Sequence, residues 1–262
     1  MFFGNGETDS PGPCKSFVTL SLMRRQTVLT ESDKRRLIIS LFFFFSFKLY
    51  IFRILSKDLN MPCHHYRKMR KTELIFREVL YQAIEKKNRN LTQAELARVL
   101  HVSLSTINRS VKLLERMGAV EIAPRNFHII DIKKILYHWA STRNLQKDIL
   151  YATRVERPVV ELEKSMPDTV VFGGYTAYKF LYNDVPADYS EVYVYGDESL
   201  VKRFPKCKGV PNLFIMKKDR FIEKYGKVTT IAHTFVDLWN LREWYAKEFL
   251  KALEARLHGI LE

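Results

Sequence analysis

Residues 91–121, LTQAELARVLHVSLSTINRSVKLLERMGAVE, decide the fold. Thr92 stands three residues before Glu95, which predicts a capping box: the Thr92 hydroxyl accepts from the Glu95 amide while the Glu95 side chain reaches back. The short helix opened there turns Leu96, Val99 and Leu100 inward. His101-Val102-Ser103 makes a tight turn, with Val102 its expected buried residue. A second cap, Ser103 or Ser105, opens a longer helix that stops at Gly118, a residue type suited to the left-handed conformation past a helix end. In that helix Leu104, Ile107, Val111 and Leu114 fall on the expected core face. The opposite face carries Ser105, Thr106, Asn108, Arg109, Lys112 and Arg116.

Upstream, ELIFREVLYQAIEK (73–86) sets Leu74, Ile75, Val79, Leu80 and Ile84 at helical spacing, and Asn88-Arg89-Asn90 breaks the pattern. Downstream, AVEIA (119–123), Pro124-Arg125-Asn126 and FHIIDI (127–132) predict a two-stranded hairpin around a turn. Two short helices joined by a tight turn form a helix-turn-helix, whose second helix enters the major groove. The hairpin after it reads as a wing. This segment resembles the winged helix-turn-helix transcriptional regulators, and the resemblance implies double-stranded DNA as partner. Ser103, Ser105, Thr106 and Asn108 lie near the helix start, where hydroxyls and amides reach base edges or phosphates. Arg109 is best placed for guanine O6 and N7, and Lys112 and Arg116 for phosphates. Arg125 at the wing tip reaches the backbone or the minor groove. The competing accounts are a merely solvated charged face and a protein-docking module. The charge balance of 61–130, thirteen basic residues against six acidic, favours DNA.

The whole chain shares that bias: 43 Lys and Arg against 29 Asp and Glu give +14, with a pI near 9.6. A surplus of this size favours a polyanionic partner. Hydrophobic residues at 47% and charged residues at 27% exclude a wholly disordered chain or a collagen. Cys14, Cys63 and Cys207 form no CxxC pair, which argues against a disulfide framework and a cysteine-built zinc site and suits a reducing, cytoplasmic setting. Cys63-His64-His65 are adjacent in an extended tail and cannot converge on one ion, so no metal or other cofactor is expected.

Residues 1–60 differ from the rest. Leu37–Phe47 is apolar, but Lys48 interrupts it well short of the roughly 20 residues a spanning helix needs. The run also begins late for a signal peptide, and no small-residue cleavage site follows. In-frame Met61 immediately precedes the patterned sequence, so 1–60 is expected to be a disordered leader or a mis-assigned start. A membrane-anchoring segment and a separate domain are the alternatives, and a membrane is not the expected partner.

The expected organisation is therefore a winged helix-turn-helix over 61–131, connecting helices over 132–157 and a small α/β domain over 158–262, an α+β chain overall. In 132–154 the apolar positions Ile135, Leu136, Trp139, Leu145, Ile149 and Leu150 read as one or two helices, suited to joining two modules or pairing two copies in a homodimer. From Pro158 helices and strands alternate, with strands at TVVFGG, EVYVYGD and NLFIMKK and helical sequence closing the chain. The strand–Gly173-Gly174–helix–strand order from Val170 to Tyr195 looks like the start of a nucleotidyltransferase-type fold. Active members of that superfamily carry Gly-Ser and two alternating carboxylates. Here Tyr175 follows the glycines, and Glu191 and Tyr193 stand where the carboxylates would be. Tyrosine does not replace a carboxylate as a hard-metal ligand at neutral pH, so the expected activity is lost. A tight strand-to-helix turn accounts for the glycines without any nucleotide.

GGYTAYKF (173–180), TFVDLWNL (234–241) and AKEFLKAL (246–253), behind the winged helix, together resemble the AbiEi-type antitoxins of type IV toxin–antitoxin systems. That resemblance implies autoregulation, a cognate toxin as partner and an inactive nucleotidyltransferase-like C-terminal domain. The expected function is a sequence-specific DNA-binding transcriptional regulator, not an enzyme. A nucleotidyltransferase acting on nucleic acid and a ligand-sensing regulator are the alternatives.

Overall fold

The computed structural model describes residues 70–261. The readings made on 1–60 and on Cys63-His64-His65 lie outside these residues. The chain begins with α1 (Lys71–Ile84), a two-residue strand β1 (Asn90–Leu91), α2 (Gln93–Leu100) and α3 (Leu104–Arg116). The Thr92 hydroxyl accepts from the Glu95 amide at 3.2 Å, but among the described residues the Glu95 carboxylate makes no return bond, so half of the expected capping box forms. The α2 helix ends at His101 in the left-handed conformation, φ 47°. Past α3, Gly118 takes φ +65°, which lets its amide reach the Glu115 carbonyl at 2.8 Å while the Ala119 amide reaches Leu114 at 2.9 Å. This pair of bonds satisfies carbonyls that the helix leaves open.

The wing follows as β2 (Val120–Ile122) and β3 (Phe127–Ile129). The two strands pair antiparallel as the expected hairpin, and β1 adds a third strand on β3 through Asn90↔His128 and Leu91↔Phe127, giving the order β1-β3-β2. Ile107, Val111 and Leu114 of α3 are buried as expected. Leu104 is not; it is 54% exposed, because the core it would join ends one turn further along the helix, at Ile107. Ser110 joins the buried face instead, its hydroxyl donating to the Thr106 carbonyl at 3.1 Å.

Asp131 caps α4 (Ile132–Thr142) by accepting from the Lys134 amide at 2.9 Å. One or two helices are expected over 132–154; the first ends at Thr142 and no second α-helix follows within that range. A 3-10 turn, Leu145–Asp148, leads into a strand, β4 (Ile149–Thr153). Its run of β-branched, aromatic and small apolar residues reads equally as helix or strand by itself, and pairing with the sheet decides the matter. The remaining elements are α5 (Val159–Lys164), β5 (Val171–Gly173), α6 (Gly174–Tyr182), β6 (Val192–Gly196), α7 (Glu198–Arg203) and β7 (Leu213–Lys217). After a 3-10 turn at Ile222–Tyr225 come α8 (Ile231–Trp239) and α9 (Ala246–Leu261). The sheet runs β4-β7-β6-β5, with β6 and β7 parallel and both outer pairs antiparallel.

The first helix belongs to both halves. It packs against α2 and α3 on one side and against α4 and α8 on the other. Ten of its fourteen residues are buried, Glu73, Arg77 and Glu78 among them, so those charges need partners. One hydrophobic cluster runs from Ile75, Val79 and Ile107 through Leu136 and Trp139 to Phe235 and Phe249.

Candidate nucleic-acid interface

The outward face of α3 carries Ser105, Arg109, Lys112 and Arg116 at spacings of four, three and four, which places them on one stripe. All four are exposed, and Thr106 and Asn108 are half-buried beside them. At the helix start the Ser103 hydroxyl does not cap a backbone amide. It pairs with the Ser105 hydroxyl at 3.2 Å and the Thr106 hydroxyl at 2.9 Å, a cluster of groups that both donate and accept. The Asn108 amide donates to Gln93 Oε1 at 3.1 Å, tying α3 to the first turn of α2. Arg125 sits at the wing tip, in the turn closed by the Ala123 amide on the Asn126 carbonyl at 2.9 Å. Among the described residues, Arg109, Lys112, Arg116 and Arg125 have no hydrogen-bond or ion-pair partner. Four cations without partners, on a helix face and a wing tip fixed by one core, suit a row of phosphates and base edges.

Two residues of this face escape the sequence reading. Exposed Leu104, at the first helical position, offers the apolar surface that a thymine methyl accepts. Gln93 is placed beside Asn108 only by the packing of α2 on α3.

Behind the interface, the second half of the chain grips the helix-turn-helix. Arg77 meets Asp219 through two parallel bonds, Nη1–Oδ2 at 2.7 Å and Nη2–Oδ1 at 2.8 Å. The next residue, Arg220, donates from Nη2 to the Leu100 carbonyl at 3.0 Å and the His101 carbonyl at 3.2 Å, at the turn between α2 and α3. The Phe221 ring then stacks on His101. Glu78 accepts from Lys224 and Tyr225, each at 2.5 Å. Burial pushes its carboxyl up, but those bonds and one from Gln82 outweigh it and hold the pKa below the ordinary value.

Arg143 is wholly buried at the centre. It donates to Glu73 at 2.9 Å and to the Tyr195 hydroxyl at 2.8 Å, and lies 3.4 Å from Asp148 and 3.3 Å from Asp237. Burial works against its charge, yet Tyr195, Asp237, Asp148 and Glu73 together raise its pKa. Burial lifts the Asp237 carboxyl to about 6 despite Arg143 and the Tyr195 hydrogen bond. Neighbouring His233 is pushed well below its ordinary value by burial, with Arg143 and Arg77 adding to it. These groups hold elements together.

Gly173 lies against this network. A Cβ there would stand 2.9 Å from the Tyr195 ring and 3.1 Å from Asp237 Oδ2. Gly174 takes φ +55°, a conformation that side chains rarely adopt. Packing and backbone conformation therefore account for the pair. On β6, the Tyr193 ring stacks on Phe214 at 4.7 Å and its hydroxyl donates to Glu243 at 3.3 Å, while Glu191 accepts from Tyr245 and Ser190. Among the described residues, no group of three or more His, Cys, Asp or Glu side chains is placed to hold a metal ion.

Residues 78–121 match a family model described as winged helix-turn-helix DNA-binding. No curated protein and no solved structure matches the chain. Among the described residues, no helix is long and apolar enough to cross a membrane. The match spans the second half of α1, β1, α2, the turn, α3 and the start of β2, and so includes the helix that presents the cationic stripe. The chain carries a winged helix-turn-helix DNA-binding domain.

Proposed function

We propose that the chain is a sequence-specific DNA-binding transcriptional regulator whose α3 reads the major groove. The observation that carries this reading is the exposed row Ser105, Arg109, Lys112 and Arg116 inside the matched segment, its three cations without partners. Ser103, Thr106 and Asn108 contribute donors at the helix start, and Arg125 a backbone or minor-groove contact. Fluorescence anisotropy of the full chain on DNA from its own promoter, against scrambled DNA over a salt series, tests it. Promoter-selective binding with steep salt dependence is expected. Equal affinity for both DNAs would remove the sequence-specific version.

The finer reading is an autoregulating antitoxin, acting as a homodimer in a cytoplasm, with a cognate toxin as partner and an inactive nucleotidyltransferase-like second half. GGYTAYKF (173–180), TFVDLWNL (234–241) and AKEFLKAL (246–253) support it. Co-expression with the product of the adjacent gene should suppress that product's toxicity, and sizing in solution tests the dimer.

A second reading, a ligand-sensing regulator, is favoured by one cleft. It has a volume of about 480 Å³ and lies at the carboxyl ends of parallel strands β6 and β7, where Asp197 and Glu198 face Lys217 and Lys218 beside Leu150, Gly196 and Ser199. In open, mostly parallel sheets ligands bind outside the carboxyl ends of the strands, and β6 and β7 are the parallel pair of this sheet. The cleft directly precedes Asp219–Phe221, which touch α1 and the helix-turn-helix turn. A thermal-shift survey of small metabolites, scored again for DNA affinity, separates the readings: a stabilising compound that leaves DNA binding unchanged rejects sensing.

A further inference from the structure

From Ser199 to Lys218 the chain runs twenty residues without one carboxylate and with six cations. Four of these, Lys202, Arg203, Lys206 and Lys208, fall within seven residues at the end of α7 and in the loop before β7, and all four are exposed. Exposed Arg157 lies four residues past β4, the strand whose Tyr151 and Thr153 hold this loop. Among the described residues none of the five has an ion-pair or hydrogen-bond partner for its side chain. The contrast with Arg154 is direct, since its Nε is 3.2 Å from Glu156.

This loop is a fixed platform. The Thr153 hydroxyl donates to the Pro205 carbonyl at 3.0 Å and accepts from the Cys207 amide at 3.0 Å. The Tyr151 hydroxyl donates to the Phe204 carbonyl at 2.9 Å, and Gly209 rests on the Arg154 stem. Holding like charges together without counter-ions costs free energy in the isolated protein, and a polyanion recovers it. The grip on the helix-turn-helix lies at the opposite end of β7, about 15 Å away along its five residues.

We propose that Arg157, Lys202, Arg203, Lys206 and Lys208 form a second, sequence-independent phosphate-binding surface that holds duplex DNA outside the segment read by α3. Duplex DNA is the occupant because the same chain carries a DNA-binding domain, and the proposal rests on that reading for its partner. The surface lengthens the footprint and adds affinity without adding sequence preference.

The test compares the full chain with a variant carrying Lys202→Ala, Arg203→Ala, Lys206→Ala and Lys208→Ala together. All four are exposed and none has a side-chain partner among the described residues, so their truncation removes no hydrogen bond or ion pair from the fold. Anisotropy is read on a promoter duplex of about 40 base pairs and on one of about 15, roughly four turns and one and a half. On the long duplex, between 50 and 200 mM salt, wild-type affinity should fall about a hundredfold further than that of the variant, since each lost phosphate contact lowers the log–log slope by about 0.9. On the short duplex the two slopes should coincide, and the variant should keep the wild-type preference for promoter over scrambled sequence. Coincident slopes on the long duplex overturn the proposal. A wild type that shows no promoter preference, while the long-duplex slope still responds to the variant, refutes sequence-specific reading by α3 and leaves the second surface standing.

Discussion

Arg77 and Asp219, separated by 142 residues in the chain, meet as a two-bond ion pair from which water is almost wholly excluded: their side chains are 0% and 7% exposed. One belongs to the first helix of the DNA-binding half and the other to the segment after β7. The guanidinium and carboxylate planes match, which makes this the strongest kind of side-chain pairing available to the joint.

Removing one partner leaves a charge buried and unpaired. Asp219→Asn or Arg77→Met should each cost about 3–5 kcal/mol. Replacing both by apolar residues should cost clearly less than the sum of the two. Denaturant titration of the three variants checks this, and additive losses would show that the pair is not a unit.

On the recognition face the side chains differ in what they report. Arg109→Ala should lower discrimination between promoter and scrambled DNA by about 1–3 kcal/mol, the value of one bidentate base contact. Lys112→Ala should weaken both DNAs alike and reduce the salt slope by about 0.9. Anisotropy on matched duplexes separates these outcomes.

The buried pair His233 and Asp237 gives opposed pH gradients. His233 is held neutral in the fold, below an unfolded pKa near 6.5, so the stability it contributes above that pH is lost as pH falls. Asp237 has a folded pKa of about 6 against an unfolded value near 3.9, so its contribution is complete below about pH 4 and lost as pH rises through 6. Between pH 4 and 6 the two nearly cancel. In His233→Gln, stability should therefore fall as pH rises across that window, by up to about 1.4 kcal/mol per unit. In Asp237→Asn it should fall as pH drops. Chemical denaturation at each pH reads the slopes.

Gly173→Ala should destabilise the chain by about 1–3 kcal/mol, because the new methyl would press on the Tyr195 ring and on Asp237. Gly259→Ala, where a Cβ meets nothing within 4 Å, is the control and should be neutral or slightly stabilising. Melting temperatures distinguish the two.

The DNA-binding elements were legible because their signals are local. Thr92 and Glu95 are three residues apart, and Gly118 ends α3 through bonds to its own last turn. The α3 stripe follows from helical spacing alone. What escaped depends on residues far away in the chain. Glu73, Arg77 and Glu78 look like the solvated side of an amphipathic helix, and their burial appears only when Arg143, Asp219 and Lys224 arrive. The strand β1 has two residues and no period to detect, and β4 is settled by β7, about sixty residues later. Leu104 sits on the apolar phase of its helix but at a turn where no core remains to receive it.

Because α1 is a wall of two structures at once, melting should be shared. Unfolding either half strips one side of a helix whose ten enclosed residues include three charges, and those charges would lose their partners along with their shelter. Amide protons of α1 should exchange only through a global opening, at the same rate as those of α8. A fragment that stops after the wing would carry an apolar and ionic scar into water. The DNA-binding half should therefore not fold as a free-standing module.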